Sequence, residues 1–297
     1  MNRWGIDLGG TKIECAVLDE NQQCRIRRRI PTEAAKGYEH IISRVQTLVN
    51  EVAAELGERP SRVGFATPGT LEPDTRLMKN CNTVSMNGRP MQDDLSAALE
   101  VPAILANDAN CFALAETQMG IGREFPGAQV VFGIIMGTGV GGGLVVNRQI
   151  IAGHQGLGGE WGHNILEEDG AACYCGKRGC VEKVISGPAL EAFYLEKSGH
   201  RLPLPEIVRR HMAGGDSHAS ATIGRLLDYF GRAVSVLINI VDPDLIIVGG
   251  GVGNIDLLYT EGYERIRDYV FNSGRLTTTL RKPMLGDSAG VFGAALL

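Results

Sequence analysis

Between positions 159 and 182 the chain reads GEWGHNILEEDGAACYCGKRGCVE, which sets one histidine and three cysteines beside flanking glutamates in a short glycine-rich stretch. His163, Cys173, Cys175 and Cys180 offer one nitrogen and three sulfurs, a full tetrahedral donor set for Zn2+. No position is left for substrate, so the metal expected here is structural. The spacing Cys-x-Cys-x4-Cys, the nearby histidine and the turn CGKRGC separate this cluster from Cys15, Cys24, Cys81 and Cys111, which are scattered and read as small, mostly buried apolar residues. Closing the loop on a metal would hold Glu160 and Glu182 in a small volume. Convergent carboxylates accept hydrogen bonds from hydroxyls, so the braced loop suits a polyhydroxylated ligand such as a sugar.

A second set of residues suits phosphate. IDLGGTK at 6–12 and IMGTGVGGG at 135–143 are glycine turns between apolar strands. Neither is followed by GKS or GKT and neither opens a helix, which sets both apart from P-loops and dinucleotide fingerprints. In hairpin turns of this kind, Gly9, Gly10, Gly137 and Gly139 let backbone N–H groups approach phosphate oxygens, while Thr11, Thr138 and Lys12 add side-chain donors. VGGGVG at 248–253 is a third glycine turn at a strand end. A glycine hairpin alone requires no ligand, but one nucleotide held between two lobes accounts for all three turns. Asp7, just before the first turn, can hold Mg2+ through water beside the triphosphate. Asp108, in ANDAN, lies between a strand and a helix start and has two readings. It caps the helix, a role open to Asn107 as well, or it accepts a proton from a sugar hydroxyl attacking the γ-phosphate.

The elements that must position these residues alternate. WGIDLGGTKIECAVLD reads as a β-hairpin, and residues 39–57 place Ile41, Val45, Leu48, Val49, Val52 and Leu56 at helical spacing up to Gly57. A strand follows in RVGFATPG, another in VPAILA at 101–106, and a helix is expected from about Asn110 to Met119. VVFGIIMGTGVGGGLVV at 130–146 repeats the opening strand–turn–strand pattern, so the chain reads as two related domains facing each other across a cleft. Residues 223–241 form an amphipathic helix pattern, and PDLIIVGGGVG a buried strand ending in glycines. The alternation is that of an α/β fold, with no low-complexity linker between its halves.

Composition narrows the function. The 297 residues are 44% hydrophobic and 21% charged, the mix of a folded protein with ordinary cores. A formal net charge of −5 gives no general attraction to nucleic acid or to anionic membrane. The single basic run, RIRRR at 25–29, reads as the solvated face of a strand. No apolar run approaches the roughly 18 residues of a membrane span, and MNRWGIDLGGTKIE lacks the layout of a signal peptide. A cytoplasmic protein is expected, in which reduced, clustered cysteines are better explained by metal than by disulfides.

Taken together, GIDLGGTKIE, ATPG, NDANCFALAE, IIMGTGVGGGLV, GEWGH, CYCGKRGCVE, DPDLIIVGGGV and GDSAGVFGAA resemble the sugar kinases of the ROK family (repressor, open reading frame, kinase), within the actin-like ATPase superfamily. The likeness spans nearly the whole chain. It implies an α/β fold of two actin-like (ribonuclease H-like) lobes around a cleft for ATP and sugar, with a zinc-braced loop. The N-terminal lobe would comprise residues 1–117, completed by a C-terminal helix at about 288–297, and the C-terminal lobe residues 118–287, with the zinc-binding loop at 160–182.

The resemblance also implies the chemistry. ATP with Mg2+ would give its γ-phosphoryl group to a sugar hydroxyl, usually the 6-hydroxyl, with Asp108 as base. Asp7, Gly9, Gly10, Thr11 and Lys12 fall in the first phosphate motif, Gly137, Thr138 and Gly139 in the second, and Gly249, Gly250 and Gly251 in the adenosine motif. The sugar would meet Asn82, Asn107, Asp108, Glu160, His163 and Glu182, with His163 giving one ring nitrogen to zinc and the other to a sugar hydroxyl. A homodimer is the family expectation. Some ROK proteins are sugar-sensing regulators that carry a helix-turn-helix region before the first phosphate motif. Here that motif starts at residue 5 and Asp108 is in place, so an enzyme is expected. KNCNTVSMNGRPMQDDL, with GHN after Trp161, resembles the fructokinase and mannokinase pattern KNxNSxxLNGxP, although Val84 and Ser85 replace an aromatic residue frequent there. NDANCFALAE and GTGVGGGLV look equally like the N-acetylglucosamine kinases. Fructose is therefore favoured, with glucose, mannose and N-acetylglucosamine open.

Overall fold

The structure, a computed structural model, describes residues 2–297. The opening alternation forms the expected hairpin. β1 (Arg3–Leu8) and β2 (Lys12–Leu18) run antiparallel, with Asp7 opposite Glu14 and Leu8 opposite Ile13. β3 (Cys24–Pro31) adds an antiparallel edge strand that carries the basic run. Its arginines are partnered. Arg28 pairs with Glu55 on the first helix, while Arg27 and Arg29 reach Glu14, which is only 2% exposed, at 3.1 and 2.5 Å. Charged side chains along an edge strand also discourage pairing with a further strand.

α1 (Tyr38–Leu56) buries Ile41, Val45, Leu48, Val49 and Val52 and stops at Gly57, whose left-handed backbone lets its N–H donate to the Ala53 carbonyl. β4 (Val63–Thr67) lies parallel to β1, and the short ribbon β5 (Thr70–Leu71) and β6 (Met78–Lys79) follows. After α2 (Met91–Leu99), β7 (Ala103–Asn107) joins parallel to β4 and runs directly into α3 (Asp108–Gln118), which starts before the expected Asn110. The first sheet has the order β3-β2-β1-β4-β7. Ile6, Leu8, Ile13 and Phe65 meet the apolar face of α1 in its core. Gly5 and Gly64 are required on the other side, because a Cβ at either would overlap backbone atoms of the C-terminal helix.

The second sheet repeats the pattern with β8 (Val130–Met136), β9 (Val140–Val146) and β10 (Gln149–Ile150). A long loop leads to α4 (Val181–Ile185), α5 (Gly187–Ser198), α6 (Leu204–Ala213) and α7 (Ser217–Val241). α7 begins earlier than its apolar periodicity suggests, because the Asp216 carboxylate caps it by accepting from His218 and Ala219 N–H. β11 (Leu245–Gly249), α8 (Gly250–Gly253), α9 (Glu261–Arg267), β12 (Thr279–Arg281) and α10 (Ala289–Ala295) complete the chain. The order is β10-β9-β8-β11-β12, with β11 parallel to both β8 and β12.

Two compact units result. One runs through Arg123 and includes Gly143–Gly159 and Met284–Leu297; the other holds Glu124–Gly142 and Glu160–Pro283. Gly143–Gly159, placed in the C-terminal lobe by the sequence division, falls in the first unit. Gly143 closes on α3 there, where an added Cβ would lie 2.8 Å from Asn110 Cα. No helix among the described residues is long and apolar enough to cross a membrane. Of the scattered cysteines, Cys15, Cys81 and Cys111 are buried as expected, but Cys24 is exposed on β3.

Candidate active site and metal centre

In the first unit, three parallel neighbours end together. Asp7 on β1 is in register with Ala66 on β4, and Thr67 on β4 with Asn107 on β7. Asp7, Thr67, Asn107 and the following Asp108 therefore stand at the carboxyl ends of adjacent strands, where α/β sheets hold ligands. Burial first, and then the charges of Asp108 and Glu14, push the Asp7 carboxyl up to about 6, against the opposing pull of Lys12 and Arg29. Of the two residues open to the capping role, Asn107 takes it. Asn107 is the N-cap of α3, accepting from Ala109 N–H at 2.9 Å, and Asp108 is the exposed first helical residue, with Oδ1 2.7 Å from the same nitrogen. Asn107, expected at the sugar, thus has its oxygen committed to the helix and its amide group as remaining donor.

The first phosphate turn is tied from outside. Gly9 N–H donates to the Lys12 carbonyl at 3.0 Å, and Thr32 donates its N–H to the Thr11 carbonyl and its hydroxyl to the Gly9 carbonyl, at 3.0 and 2.6 Å. Gly10, Thr11 and Lys12 are left exposed. Thr32 is fully buried, and a single threonine after the basic strand gives no sequence signal of that role. Beside the turn, Thr83 Oγ1 lies 3.0 Å from where a Cβ on Gly10 would stand. The exposed Asn82 precedes it. Its loop is held by Asn87, which accepts from Cys81 N–H at 2.9 Å and donates to the Cys81 carbonyl at 3.1 Å. Burial, then Asp108, pushes the Cys81 thiol up to about 11, and Cys111 is raised by burial, Asp108 and Asp7 in turn. Asp108 therefore sits within the electrostatic reach of Asp7, Cys81 and Cys111.

In the second unit the glycine turns lie side by side. A Cβ on Gly137 would be 3.9 Å from Gly251 N. Gly137 N–H donates to the Gly139 carbonyl, and Gly187 N–H to the Gly137 carbonyl, each at 2.9 Å. The third turn differs from a hairpin: Gly249 ends β11, and Gly250 and Gly251 open α8, with Gly250 at φ 82°. The Tyr259 hydroxyl closes α8 by donating toward the Val248 and Gly253 carbonyls at 2.9 and 2.8 Å.

His163, Cys173, Cys175 and Cys180 converge, with their ligand atoms all within 4.8 Å of one another. Zn–S bonds of about 2.3 Å at tetrahedral angles separate two sulfurs by about 3.8 Å. Cys175 and Cys180 Sγ lie 3.5 Å apart, and Cys173 Sγ lies 3.6 Å from His163 Nδ1, so the donor set fits zinc. The loop has further anchors. Trp161 is buried and donates its indole N–H to the Ala233 carbonyl at 3.1 Å, and Glu167 forms a two-pronged ion pair with Arg225 at 3.0 and 2.9 Å.

The other nitrogen of His163 faces a residue that sequence reasoning missed. Nε2 lies 2.9 Å from the Tyr174 hydroxyl, with the rings edge to face at 5.1 Å. Tyr174 is 72% exposed, yet its phenol is pushed up to about 12, by desolvation first and then by Glu182, Cys173 and Glu160. Burial raises the Glu160 carboxyl, with His163 opposing. Glu160, His163, Tyr174 and Glu182 are thus brought together. Glu182 is 7% exposed and turns toward the second glycine turn, where Oε2 accepts from Val140 N–H at 3.2 Å.

This pairing of strand-end carboxylates, glycine turns and a Cys3His loop matches one family along its length: the ROK family model covers residues 3–297. The chain belongs to the ROK family. Among its relatives, the N-acetyl-D-glucosamine kinase of Yersinia pseudotuberculosis serotype O:3 (strain YPIII) is 37% identical over 304 residues, covering 99% of this chain and 98% of that protein. The crystal structure of the ROK hexokinase from Thermus thermophilus superposes with a TM-score of 0.88 at 31% identity, covering 100% of this chain and 97% of that one. A ROK-family glucokinase from Streptomyces griseus, in complex with glucose and AMPPNP, gives a TM-score of 0.80 at 25% identity over 99% and 98% of the two chains. The α/β ROK kinase fold implied by the motifs is the fold of this protein.

Proposed function

We propose that this ROK protein is an ATP-dependent sugar kinase that transfers the γ-phosphoryl group to the 6-hydroxyl of N-acetyl-D-glucosamine. The observation that carries the substrate is the 37% identity to an N-acetyl-D-glucosamine kinase along 99% of the chain. The fructose preference expected from KNCNTVSMNGRP rested on one exposed loop and gains no support from the relatives. The S. griseus complex, which holds a hexose and an ATP analogue, supports the pairing of sugar and nucleotide.

In this reading the protein works by positioning and electrostatics. Asp108 accepts the proton of the attacking hydroxyl, and its place at the strand end leaves the carboxylate exposed for that contact. The exposed Gly10, Thr11 and Lys12 and the Gly137–Gly139 turn receive the phosphates, and Gly249–Gly251 the adenosine. Asp7 is the proposed carboxylate for Mg2+, which when bound neutralises charge on the transferred phosphoryl group. Glu160, His163 and Glu182 accept or donate hydrogen bonds at the sugar, held in place by the zinc loop. Cytoplasmic residence and a homodimeric state go with the same proposal.

A coupled ADP-release assay with ATP, Mg2+ and zinc-replete protein tests it, with N-acetyl-D-glucosamine, glucose, mannose and fructose as acceptors. Saturable turnover is expected, with kcat/KM for N-acetyl-D-glucosamine above that for fructose by at least about tenfold, the scale of one well-used polar contact. A preference for fructose would overturn the substrate, and no turnover with any acceptor would overturn the kinase.

A further inference from the structure

The segment from Cys180 to Gly187 grips the Gly137–Gly139 turn at both of its ends. At one end the Glu182 carboxylate, in the first turn of α4, accepts from the N–H of Val140, the residue that follows the turn. At the other, Gly187 N–H donates to the Gly137 carbonyl at 2.9 Å. The fit at Glu182 is tight: a Cβ on Gly139 would come within 2.6 Å of Oε2. Gly162, beside the metal donor His163, packs on the same residue, since its Cβ would stand 2.8 Å from the Val140 carbonyl carbon. The metal donor Cys180 is itself the N-cap residue of α4.

We propose that Glu182 is the positioning residue of the Gly137–Gly139 phosphate turn, linking it to the metal-closed loop, over and above its expected contact with sugar. The proposal rests on the kinase reading for its functional consequence. Its physical basis is that a buried carboxylate facing phosphate would repel it, whereas here Oε2 is engaged by a backbone N–H and Oε1 lies 3.6 Å from Lys183 Nζ. The carboxylate thereby acts on the turn through geometry. It fixes the direction of Val140 N–H, and with it the orientation of the preceding Thr138 and Gly139. Loss of a charged acceptor to a buried N–H loosens the turn, because that N–H gives up the hydrogen bond it makes to Oε2.

The test measures nucleotide binding without sugar. Calorimetric titration with Mg2+ and AMPPNP should show Glu182→Ala binding about tenfold more weakly, the scale of one charge-assisted hydrogen bond. Glu182→Gln, whose amide oxygen can still accept from Val140, should stay within about twofold of the parent for nucleotide while losing sugar affinity. Gly139→Ala leaves Glu182 in place but displaces its carboxylate, and should weaken nucleotide binding as Glu182→Ala does; it also carries the test if Glu182→Ala fails to fold. Hydrogen exchange at the Val140 amide gives a second readout, expected to quicken in Glu182→Ala and Gly139→Ala. Unchanged AMPPNP affinity and unchanged Val140 protection in both variants would overturn the proposal, as would equal weakening by Gln and Ala. A parent protein that binds no nucleotide would instead count against the kinase reading, with Val140 exchange still reporting on the clamp.

Discussion

If Asp7 holds Mg2+, nucleotide binding should weaken as pH falls through about 6, well above the range of an ordinary carboxylate. The folded protein keeps Asp7 protonated up to about 6, from an ordinary 3.8, because burial and the nearby charges of Asp108 and Glu14 disfavour its ionised form. Metal binding requires the ionised form. The sign follows: above pH 6 no proton must be removed, and below it each pH step adds a proton that Mg2+ must displace. The apparent association constant for Mg2+ and AMPPNP should therefore be lower at pH 5 than at pH 8 by about tenfold from this group alone. Asp108→Asn removes one like charge, so the midpoint should fall. It should remain above 3.8, since burial, the larger cause, is untouched.

The assay is calorimetric titration from pH 4.5 to 8 on the parent, Asp108→Asn and Asp7→Asn. Phosphate groups titrate near 6 as well, and Asp7→Asn isolates that contribution, so the difference between parent and Asp7→Asn reports Asp7. A flat difference between pH 5 and 7 would remove Asp7 from the metal site. A midpoint unmoved by Asp108→Asn would show that the two strand-end carboxylates do not sense each other.

Other consequences are simpler to read. Asp108→Asn should cut kcat by about two orders of magnitude or more while AMPPNP affinity at pH 8 holds, and near-normal turnover would remove it as the base. Cys175→Ser should lower zinc content by elemental analysis and sugar affinity together, and full sugar affinity in metal-free protein would break the link between them. Tyr174→Phe should strengthen sugar binding a few-fold, since its hydroxyl occupies the His163 nitrogen expected to meet a sugar hydroxyl; weaker binding would make the phenol part of the sugar site. Gly64→Ala should destabilise the fold by about 2 kcal/mol, because its Cβ would collide with the Ala294 carbonyl, and an unchanged melting temperature would refute that packing.

Much of the fold was legible because it rests on short-range rules. Helical spacing up to a glycine predicted α1 to its last residue, and alternation around GG predicted the β1–β2 hairpin. Asp216 escaped because a cap announces itself by one residue, and the polar stretch SHASAT carries no apolar period. In the candidate site, the donor types and their spacing single out the four residues whose ligand atoms converge in the structure. The supporting contacts were not readable. Thr32 on Gly9, Asn87 on Cys81 and Tyr174 on His163 each join residues whose pairing depends on how a loop folds back, and nothing in a single threonine, asparagine or tyrosine records that.

Glu182 marks where composition and geometry diverge most. From the sequence, a glutamate two residues after a metal-binding cysteine is a carboxylate held near a ligand, and sugar hydroxyls are the natural partners for it. Geometry adds a constraint that side-chain type does not contain: Val140 N–H donates to that buried carboxylate, and the room for it exists because residue 139 has no Cβ. A glycine in a phosphate turn is usually credited to the close approach of phosphate. At Gly139 a close approach that demands glycine is made by the protein's own glutamate, so Gly139→Ala perturbs the turn and the metal loop at once, and Val140 amide exchange measured without nucleotide separates the clamp from any direct clash with phosphate.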